Sequence, residues 1–408
     1  MTAADMLKSI DRADVYKGET LAGQLIREDS DVVFRYREDY AESELPDLAW
    51  TIPKSSNEFR ATGGSLPPFF AGLLPEGVRL QGVVAGTKTS VDDHMTLLLA
   101  VGADTIGDVR VLPAGEEAPA ARPAFDPERV RALDLGEVFA AVSGPDALEL
   151  DPAALPGVQA KVSAVMYSTP LTTKSGPAIL KLAPAQGYPQ LVENEHFFMS
   201  LAVDCGLTVP RHQIVHDRHD RPGLLVSRFD RSSGSSIAQE DACQVMAMYP
   251  AAKYRMKTEE IVGALSSVCE RGDGSARAAT LDVLRLVAYS YAIGNGDLHG
   301  KNFSVFASKA GVWTVTPAYD LLCTQPYLSW RDPMALDFYG RANKLTRQHF
   351  VESARRLGLP ERALTRMLDQ VCSGVLAGAE KVDDIGFVDK DTSRLRELLM
   401  HRVDELRS

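Results

Sequence analysis

IGNGDLHGKNFSVF, at residues 293–306, is the most informative stretch of this 408-residue chain. It follows an apolar segment, 281–291, whose large side chains recur with helical spacing. It ends in the β-like run FSVF, which begins immediately after Asn302. Asp297 and Asn302 are therefore predicted to lie on a short loop that connects a buried helix to a strand.

These two residues have the types and the spacing that phosphoryl transfer requires. The reaction needs a carboxylate that orients and deprotonates the attacking hydroxyl, and a nearby oxygen ligand for Mg²⁺; a D-x4-N loop supplies both in kinase-like enzymes. A second carboxylate ligand is expected one hairpin later, and Asp320 follows FSVF, a turn at 308–311 and VWTVTP. Each residue alone is an ordinary turn or cap residue, but the set predicts a phosphotransferase that uses ATP and Mg²⁺.

His299 lies between Asp297 and Asn302 on the same loop. It could bridge the loop to Asp320, assist the transition state, or make only structural hydrogen bonds. We therefore treat Asp297 as the candidate base and His299 as a candidate catalytic residue whose role stays open.

A nucleotide site also needs backbone N–H groups from a tight turn and a lysine on a neighbouring strand. The turn candidate is LPGVQAK at 155–161, where Gly157 allows close backbone approach. Lys181 lies in the apolar run AILKLA and should have an anionic partner, because burying an unpaired ammonium is costly. Glu193 or Glu195, on the helix that follows, could serve beside a phosphate. Alternatively, Lys181 extends its amine to solvent from an edge strand.

Net charge and cysteine usage exclude several classes of protein. With 44 basic and 55 acidic residues, the net charge of −11 argues against coating nucleic acid or anionic membrane by bulk electrostatics. The five cysteines are widely spaced without a CxxC pair, which favours reduced thiols over disulfides or a zinc site. No apolar run reaches membrane-spanning length, and the first residues lack a signal-peptide pattern. We expect a cytoplasmic protein with no membrane contact.

The chain changes from strand-like to helix-like patterns near residue 230, which predicts an α+β fold. The Pro-, Ala- and charge-rich segment 113–127 is the best linker candidate. The predicted elements are antiparallel strands over 15–36, one short helix over 66–77, a helix over 91–101, a hairpin of strands 161–166 and 178–183, a helix over 191–205, strands near 213–215 and 224–226, and a surface helix over 395–406.

Two clusters of histidine or basic residues are interpreted as solvent-exposed surface rather than as binding sites. The histidines at positions 212, 216 and 219 straddle a predicted turn, so a solvated strand end is favoured over a metal site. Lys253, Arg255 and Lys257 form a small basic patch, for which a solvated face is favoured over nucleotide or substrate docking.

Taken together, the motifs resemble the HipA-type serine/threonine kinases of bacterial toxin–antitoxin modules. The stretches FFAGLLPEG and LLLAVGADTIGDVRVLP are similar to the first subdomain of that family, and the resemblance runs in order along nearly the whole chain. The other motifs that carry it are GVQAK (157–161), ILK (179–181), LVENEHFFMSLA (191–202), GLTVP (206–210), LLVSRFDR (224–231), QEDACQ (239–244), GDLHGKNFSVF (296–306) and TPAYDLL (316–322).

The resemblance implies a two-lobed, protein-kinase-like α+β fold with the active site between the lobes. It implies an additional N-terminal β-rich subdomain over 1–113, a kinase N-lobe over 126–229, and a mostly helical C-lobe over 230–408. It also implies that Asp297 is the catalytic base and that Asn302 and Asp320 ligate Mg²⁺. The implied ATP-binding residues are Gly157, Val158, Gln159 and Lys161 of the phosphate loop, Lys181 with its candidate partner Glu195, and Ser227 and Phe229 of the hinge beside adenine.

The resemblance further implies partners. A growth-arresting toxin of this kind is restrained by a DNA-binding antitoxin, HipB-like, so contact with DNA would be indirect. Its protein substrate would be an aminoacyl-tRNA synthetase or another translation factor. The family commonly carries an inhibitory autophosphorylation serine three residues before the phosphate-loop glycine, whereas this chain has Ala154, so self-inactivation at that position is impossible.

Two other functions stay open at this point. GDLHGKN also looks like the catalytic loop of aminoglycoside and choline kinases, which are small-molecule phosphotransferases, although those enzymes lack the first subdomain and the QEDACQ helix. The other alternative is a catalytically silent scaffold that completes a repressor complex with its antitoxin. The intact base and metal positions disfavour it.

Overall fold

The computed structural model describes residues 3–116, 127–142, 166–173, 176–184, 186–232 and 234–408. These residues group into two compact units, and the predicted domain boundaries remain a prediction. The first unit comprises Met1–Pro184, Val215–Gly223 and Ser227–Ala251, and the second unit comprises Ala185–Ile214, Leu224–Val226 and Ala252–Ser408.

A five-stranded antiparallel sheet forms the centre of the first unit and confirms the strands predicted over 15–36. Its register places Leu25 opposite Phe34, and Val15 opposite Val111. All four residues are fully buried. The strands in spatial order are Glu58–Ala61, Asp31–Tyr36, Thr20–Glu28, Arg12–Lys17 and Val109–Pro113.

Aromatic packing fixes this sheet to the helices of the first unit. Phe34 is fully buried, and its ring centroid lies 4.9 Å from Tyr36 and 5.2 Å from Phe70. A Cβ at Gly23 would lie 2.3 Å from the Arg35 carbonyl oxygen and 2.7 Å from the Phe34 ring, so only glycine fits on the facing strand. Burying each such aromatic side chain contributes about 1.5–3 kcal/mol.

The first helices differ in part from the prediction. The short helix with proline boundaries that was predicted within 66–77 is confirmed as the single-turn helix Pro68–Ala71. A separate helix, Gly77–Thr87, which was not predicted, follows Pro75. A proline has no N–H to continue a helix and restricts the residue before it, so Pro75 separates the two helices. The helix predicted over 91–101 is confirmed as His94–Val101, capped by the Asp93 side chain.

The predicted hairpin is present with its first strand displaced. Strand Tyr167–Thr173 pairs antiparallel with Gly176–Leu182, so residues that we assigned to the turn are strand. The first part of the predicted strand, 161–165, lies outside the described residues. Tyr167, Thr169 and Leu171 are buried and alternate with more exposed residues, a period of two that the polar composition of this stretch concealed.

A network of four charges, in which Arg228 and Asp230 are buried and Asp104 is partly exposed, lies farther along the first unit. The Arg228 guanidinium, 5% exposed, donates to both carboxylate oxygens of Asp104 at 3.0 and 2.8 Å and to those of Asp230 at 3.0 and 2.7 Å. Arg231 also donates to Asp230, at 2.7 Å, as does the Gly107 N–H at 3.1 Å. Burial raises the pKa of Asp230, but the charges of Arg228 and Arg231 and the hydrogen bonds from Arg228 and the Gly107 N–H together outweigh burial and lower that pKa.

Glu240 is a second buried charge of the first unit, with a less complete set of partners. Its Oε1 accepts a hydrogen bond from the Trp50 backbone N–H at 2.9 Å, whereas Oε2 is buried and has no hydrogen-bond partner within the described ranges. Burial raises the pKa of Glu240 to about 7, and the Trp50 hydrogen bond opposes that shift. The remaining elements of this unit are Ala3–Lys8, Glu38–Ala41, Leu135–Val142, the two-stranded ribbon Arg231–Ser232 and Ser235–Ser236, Gln239–Asp241, and Ala242–Val245.

The second unit is mainly helical, which confirms the predicted change in character along the chain. Its one described β-hairpin pairs Ser304–Ala307 with Trp313–Val315. The strands His212–His216 and Pro222–Ser227 contribute residues to both units. The helices are Leu191–Asp204, Thr258–Arg271, Ala276–Ala292, Arg347–Arg356, Glu361–Ala379 and Asp389–Arg407. Across the described ranges, no helix is both long and apolar enough to cross a membrane.

Replacing Arg228 with methionine should destabilise the first unit by about 1.5–3 kcal/mol, because the buried Asp230 carboxylate loses both hydrogen bonds from Arg228 and keeps Arg231 as its charged partner. Urea unfolding of the full chain measures the effect. The matched control is Arg12→Met at an exposed arginine, for which we expect little change. Equal unfolding midpoints for the two variants would contradict the stabilising role of the network.

The stability of the first unit should fall as pH rises toward neutrality. Between the ordinary glutamate pKa of 4.5 and the value of about 7 in the folded chain, the unfolded chain releases a proton that folded Glu240 keeps. The free energy of unfolding therefore decreases with pH, by at most about 1.4 kcal/mol per pH unit from this group. Urea unfolding measured across this pH window should show a smaller pH dependence for Glu240→Gln than for the wild type. An unchanged pH dependence would mean that other titratable groups cause it.

Candidate active site

The candidate catalytic loop begins where the helix Ala276–Ala292 ends, in the second unit. Gly294 has a φ of +71°, a left-handed conformation that glycine adopts without steric cost. The Asn295 N–H then donates to the Ser290 carbonyl at 2.9 Å, which closes the helix end. A Cβ at Gly294 would also approach Leu398 to 2.8 Å. This glycine therefore directs the chain out of the helix three residues before Asp297.

Two buried side chains hold the backbone that leads to Asp297. Asn295 accepts at Oδ1 from the Asp297 N–H at 3.0 Å, and its Nδ2 donates to the Asp320 carbonyl at 3.3 Å. Thr324 accepts at Oγ1 from the Gly296 N–H at 2.9 Å. Asn295 and Thr324 thereby connect the loop to the segment that carries Asp320.

The Asp297 carboxylate is almost completely removed from solvent, with 5% of the residue exposed. Its Oδ1 accepts a hydrogen bond from the Tyr254 hydroxyl at 2.8 Å. The Tyr254 ring meets the His299 ring edge-on, with centroids 5.0 Å apart and planes at 81°. On the same ring, Nζ of Lys253 lies 5.4 Å from the centroid. The candidate base therefore contacts a phenol whose ring packs against the His299 imidazole and lies near the buried Lys253 ammonium.

His299 and Asn302 close a single 3₁₀ turn, Gly300–Asn302. The His299 N–H donates to Asn302 Oδ1 at 3.0 Å, and the Asn302 N–H donates to the His299 carbonyl at 2.9 Å. The Gly300 N–H donates to the Lys253 carbonyl at 3.0 Å. These contacts use the His299 backbone and fix the direction of the Asn302 side chain, while the role of the His299 side chain stays open.

Asn302 and Asp320 meet side chain to side chain, as the spacing predicted. Asn302 Nδ2 donates to Asp320 Oδ2 at 3.1 Å. Asp320 has a φ of +55°, a conformation that aspartate tolerates better than most residues. Carboxylate and amide oxygens are the hard donors that Mg²⁺ takes from proteins, so this pair fits the ion that a kinase requires.

Tyr319 ties the Asp320 segment to the loop and to the hairpin. Its hydroxyl donates to the Lys301 carbonyl at 2.8 Å and lies 2.6 Å from Ser304 Oγ. Ser304 begins the strand Ser304–Ala307, and its carbonyl accepts from the Thr316 N–H at 3.0 Å. The hairpin therefore returns the chain to the loop, which explains why two metal-ligand candidates 18 residues apart come together.

A paired side-chain contact fixes the segment after Asp320 to the helix Leu191–Asp204. The Asn194 side chain donates to the Cys323 carbonyl at 2.8 Å and accepts from the Cys323 N–H at 3.0 Å. Glu195, the next residue of this helix, is 1% exposed. The role of Glu195 beside Lys181 stays a prediction.

The other predicted ATP-binding residues are located as follows. Lys181 lies in strand Gly176–Leu182 opposite Ser168, on the less buried face of the strand. Ser227 ends the strand Pro222–Ser227, and both Ser227 and Phe229 are half-buried on either side of Arg228. Gly157, Val158, Gln159 and Lys161 lie outside the described residues, as does Ala154. The structure therefore brings together Asp297, His299, Asn302 and Asp320, and the roles of the others stay predictions.

Sequence reasoning misplaced one residue of the site and missed others. Lys253 was assigned to a solvated basic face, but it is 1% exposed, while Arg255 and Lys257 are exposed. The prediction was wrong for Lys253 because the charges of its neighbours suggested that all three basic side chains are exposed to solvent. Tyr254 and Asn295 were not predicted; the asparagine two residues before Asp297 was a recognisable Asx-turn signal, whereas nothing near Tyr254 pointed to Asp297.

Comparison with known proteins shows that this chain is similar to proteins named as kinases. Residues 153–379 match the family model described as the HipA-like C-terminal domain, and residues 13–112 match the HipA N-terminal domain. The chain is 31% identical over 384 residues to "Putative kinase Y4mE" of Sinorhizobium fredii, covering 87% of this chain and 88% of that protein. It is 25% identical over 389 residues to the serine/threonine-protein kinase toxin HipA of Shewanella oneidensis, covering 88% and 86%.

A solved structure has the same fold. The complex of Shewanella oneidensis HipA, HipB and operator DNA contains a chain that matches with a TM-score of 0.75 and 22% identity, covering 97% of both chains. Fold and loop together define a protein of the kinase-like class. The chain belongs to the HipA family of kinase toxins, which confirms the resemblance inferred from its motifs.

Replacing Asp320 with asparagine should weaken Mg²⁺-dependent ATP binding about tenfold or more, because a charged oxygen ligand is lost. Asparagine tolerates the positive φ at this position, whereas alanine would add backbone strain. Titration of labelled ATP with and without Mg²⁺ measures the effect. Asp384→Asn, at an exposed aspartate of the turn Val382–Ile385, is the matched control. Binding of equal strength in both variants would remove Asp320 from the metal site.

Proposed function

We propose that the chain is a Mg·ATP-dependent serine/threonine protein kinase that acts as the toxin of a toxin–antitoxin module. The observation that carries the proposal is the cluster of Asp297, Asn302 and Asp320 on two adjoining segments, with the Asn302 amide 3.1 Å from the Asp320 carboxylate. The order and the spacing of these residues are those that phosphoryl transfer uses. The membership of the HipA family supports the same reaction.

Asp297 is the base of the proposed reaction. The hydroxyl oxygen of a serine or threonine attacks the γ-phosphorus of ATP, its proton passes to the Asp297 carboxylate, and the bond from the γ-phosphorus to the bridging oxygen breaks to release ADP. Asp297 is 5% exposed. The Tyr254 hydrogen bond to Oδ1 fixes the carboxylate for this transfer.

Asn302 and Asp320 would hold Mg²⁺ through their side-chain oxygens. When bound, the metal supplies positive charge that offsets the negative charge on the phosphates. We propose that Lys181 contacts the phosphates, that Gly157, Val158, Gln159 and Lys161 form the phosphate loop, and that Ser227 and Phe229 lie beside adenine. Glu195 is proposed to act with Lys181.

The partner of the proposed toxin is a DNA-binding antitoxin. The solved relative from Shewanella oneidensis is a complex of HipA with HipB and operator DNA, which supports a HipB-like partner. The net charge of −11 favours contact with DNA through that partner rather than by this chain alone. The proposed substrate is a translation component such as an aminoacyl-tRNA synthetase. The five buried, free cysteines are compatible with a reducing cytoplasm.

The test is label transfer from γ-labelled ATP, with Mg²⁺, into the proteins of a bacterial lysate. Asp297→Asn should lower transfer by about 100- to 10,000-fold while leaving the fold intact, because only the proton acceptor is removed. The rate of labelling of a discrete protein band measures it. Asp384→Asn makes the same chemical change at an exposed position and should keep the wild-type rate.

Three outcomes would contradict the proposal in different ways. Equal labelling by wild type and Asp297→Asn would remove Asp297 from catalysis. ATP binding without protein labelling would favour a small-molecule acceptor, which choline or an aminoglycoside then tests. Absence of ATP binding would favour a scaffold that acts only with its antitoxin.

A further inference from the structure

The loop 104–107 binds the proposed adenine hinge through Arg228, and both belong to the first unit. We propose that Asp104 is a positioning residue for nucleotide binding, because it holds Arg228 and thereby the backbone of the hinge residues on either side. This inference rests on the proposed function, which places those two residues, Ser227 and Phe229, beside adenine. It extends the adenine site to a residue 124 positions before Arg228 in the chain.

The loop 104–107 is fixed to the five-stranded sheet of the first unit. Thr105 is fully buried, and its hydroxyl donates to the carbonyl of Val109, the first residue of an edge strand of that sheet. Gly107 has a φ of +83°, and a Cβ there would lie 3.1 Å from the Gln239 carbonyl oxygen. Because that oxygen belongs to the backbone, a glycine lets the two segments approach at this point. The loop therefore has a defined position before it meets the hinge.

Arg228 joins this loop to a strand of the proposed nucleotide site. Its guanidinium donates to both carboxylate oxygens of Asp104, at 3.0 and 2.8 Å, and to the Thr105 carbonyl at 3.0 Å. Its backbone N–H donates to the Pro177 carbonyl at 3.0 Å. Pro177 belongs to the strand that carries Lys181, the residue proposed to contact the phosphates. Arg228 is therefore bound by the loop at its side chain and by this strand at its backbone.

The Arg228 side chain is held in one orientation. It is 1% exposed, and it donates through Nη1 to Asp104 and through Nε and Nη2 to Asp230. Paired N–H···O bonds to a carboxylate constrain the plane of the guanidinium as well as its distance. Because the backbone N–H of Arg228 is also bound, a shift of the side chain is transmitted to the adjoining peptide bonds. Loss of the Asp104 contact should therefore loosen the backbone at Ser227 and Phe229.

Affinity for adenine is the property that such a change should alter. The proposed hinge can bind adenine through its main-chain N–H and C=O groups, and hydrogen bonds of this kind weaken steeply when their angle departs from the optimum. The phosphates depend on a different support, since Lys181 lies opposite Ser168 in the antiparallel pairing of its strand. A change at Asp104 should therefore weaken binding of the base more than binding of the phosphates.

The test is Asp104→Asn, which keeps the size of the side chain and one acceptor oxygen but removes the charge. We expect the Kd of Mg·ATP, from titration with labelled ATP, to rise about tenfold, the equivalent of one hydrogen bond. Mg·tripolyphosphate, which has the phosphates without the base, should displace labelled ATP with an affinity changed less than about twofold. At saturating ATP, kcat for labelling of the Asp297-dependent lysate band should stay within about twofold of the wild-type value.

Glu58→Gln is the matched control. Glu58 is 40% exposed, against 42% for Asp104, and each of these carboxylates pairs with two arginines of the first unit. The strand Glu58–Ala61 lies at the opposite edge of the sheet from the strand that fixes the loop, so this loss of charge should leave the Kd of Mg·ATP unchanged. Urea unfolding of both variants checks that each is folded under the assay conditions.

Arg228→Lys supplies a second variant, which should also weaken ATP binding because lysine has no planar fork for Asp104. In that background, Asp104→Asn should cost less than about twofold further ATP affinity, since both changes act through one contact. Penalties that multiply in full would overturn the proposal, as would an equal loss of ATP and tripolyphosphate affinity in Asp104→Asn. If the wild type binds no ATP, the proposed function fails as well. If the wild type binds ATP and Asp104→Asn matches it, only the positioning role fails.

Discussion

The candidate catalytic loop is polar and yet buried, and the geometry of the site depends on this constraint. A polar group withdrawn from water without a partner costs about 1–3 kcal/mol, so the surrounding chain must supply partners in fixed directions. Asn295, Thr324 and Tyr319 each supply a hydrogen bond that joins the loop to the segment around Asp320. The hydrogen bonds that satisfy the loop are therefore also the ones that assemble the site.

The end of the helix Ala276–Ala292 determines where the candidate catalytic loop starts. The helix Ala276–Ala292 is buried along most of its length, and only a glycine at position 294 lets the chain leave it without a clash. The hairpin of Ser304–Ala307 and Trp313–Val315 then returns the chain so that Asp320 reaches Asn302. A rigid helix end and a short hairpin together place acidic and amide groups within hydrogen-bond distance.

Much of the fold and part of the site could be predicted because their signals are local. Asp297, Asn302 and Asp320 were found from spacing along one stretch, and the strands over 15–36 from alternation. Tyr254 could not be found in this way, because its contact with Asp297 exists only after the chain has folded. The charged residues near Lys253 suggested that its side chain faces solvent. That prediction was wrong because the local sequence does not show which side chains another part of the chain will cover. The strand Tyr167–Thr173 was not predicted, because its threonines and its proline obscure the two-residue alternation of apolar side chains.

The four-charge network of the first unit has a consequence for how such a protein can diverge. Removing one member of a buried ion cluster costs more than exchanging the whole cluster for apolar residues of similar size. A lineage that changes Arg228 alone passes through a less stable intermediate, because the buried Asp230 loses two hydrogen bonds and keeps Arg231 as its charged partner. Positions 104, 228, 230 and 231 are therefore expected to change as a group or to stay as they are during evolution.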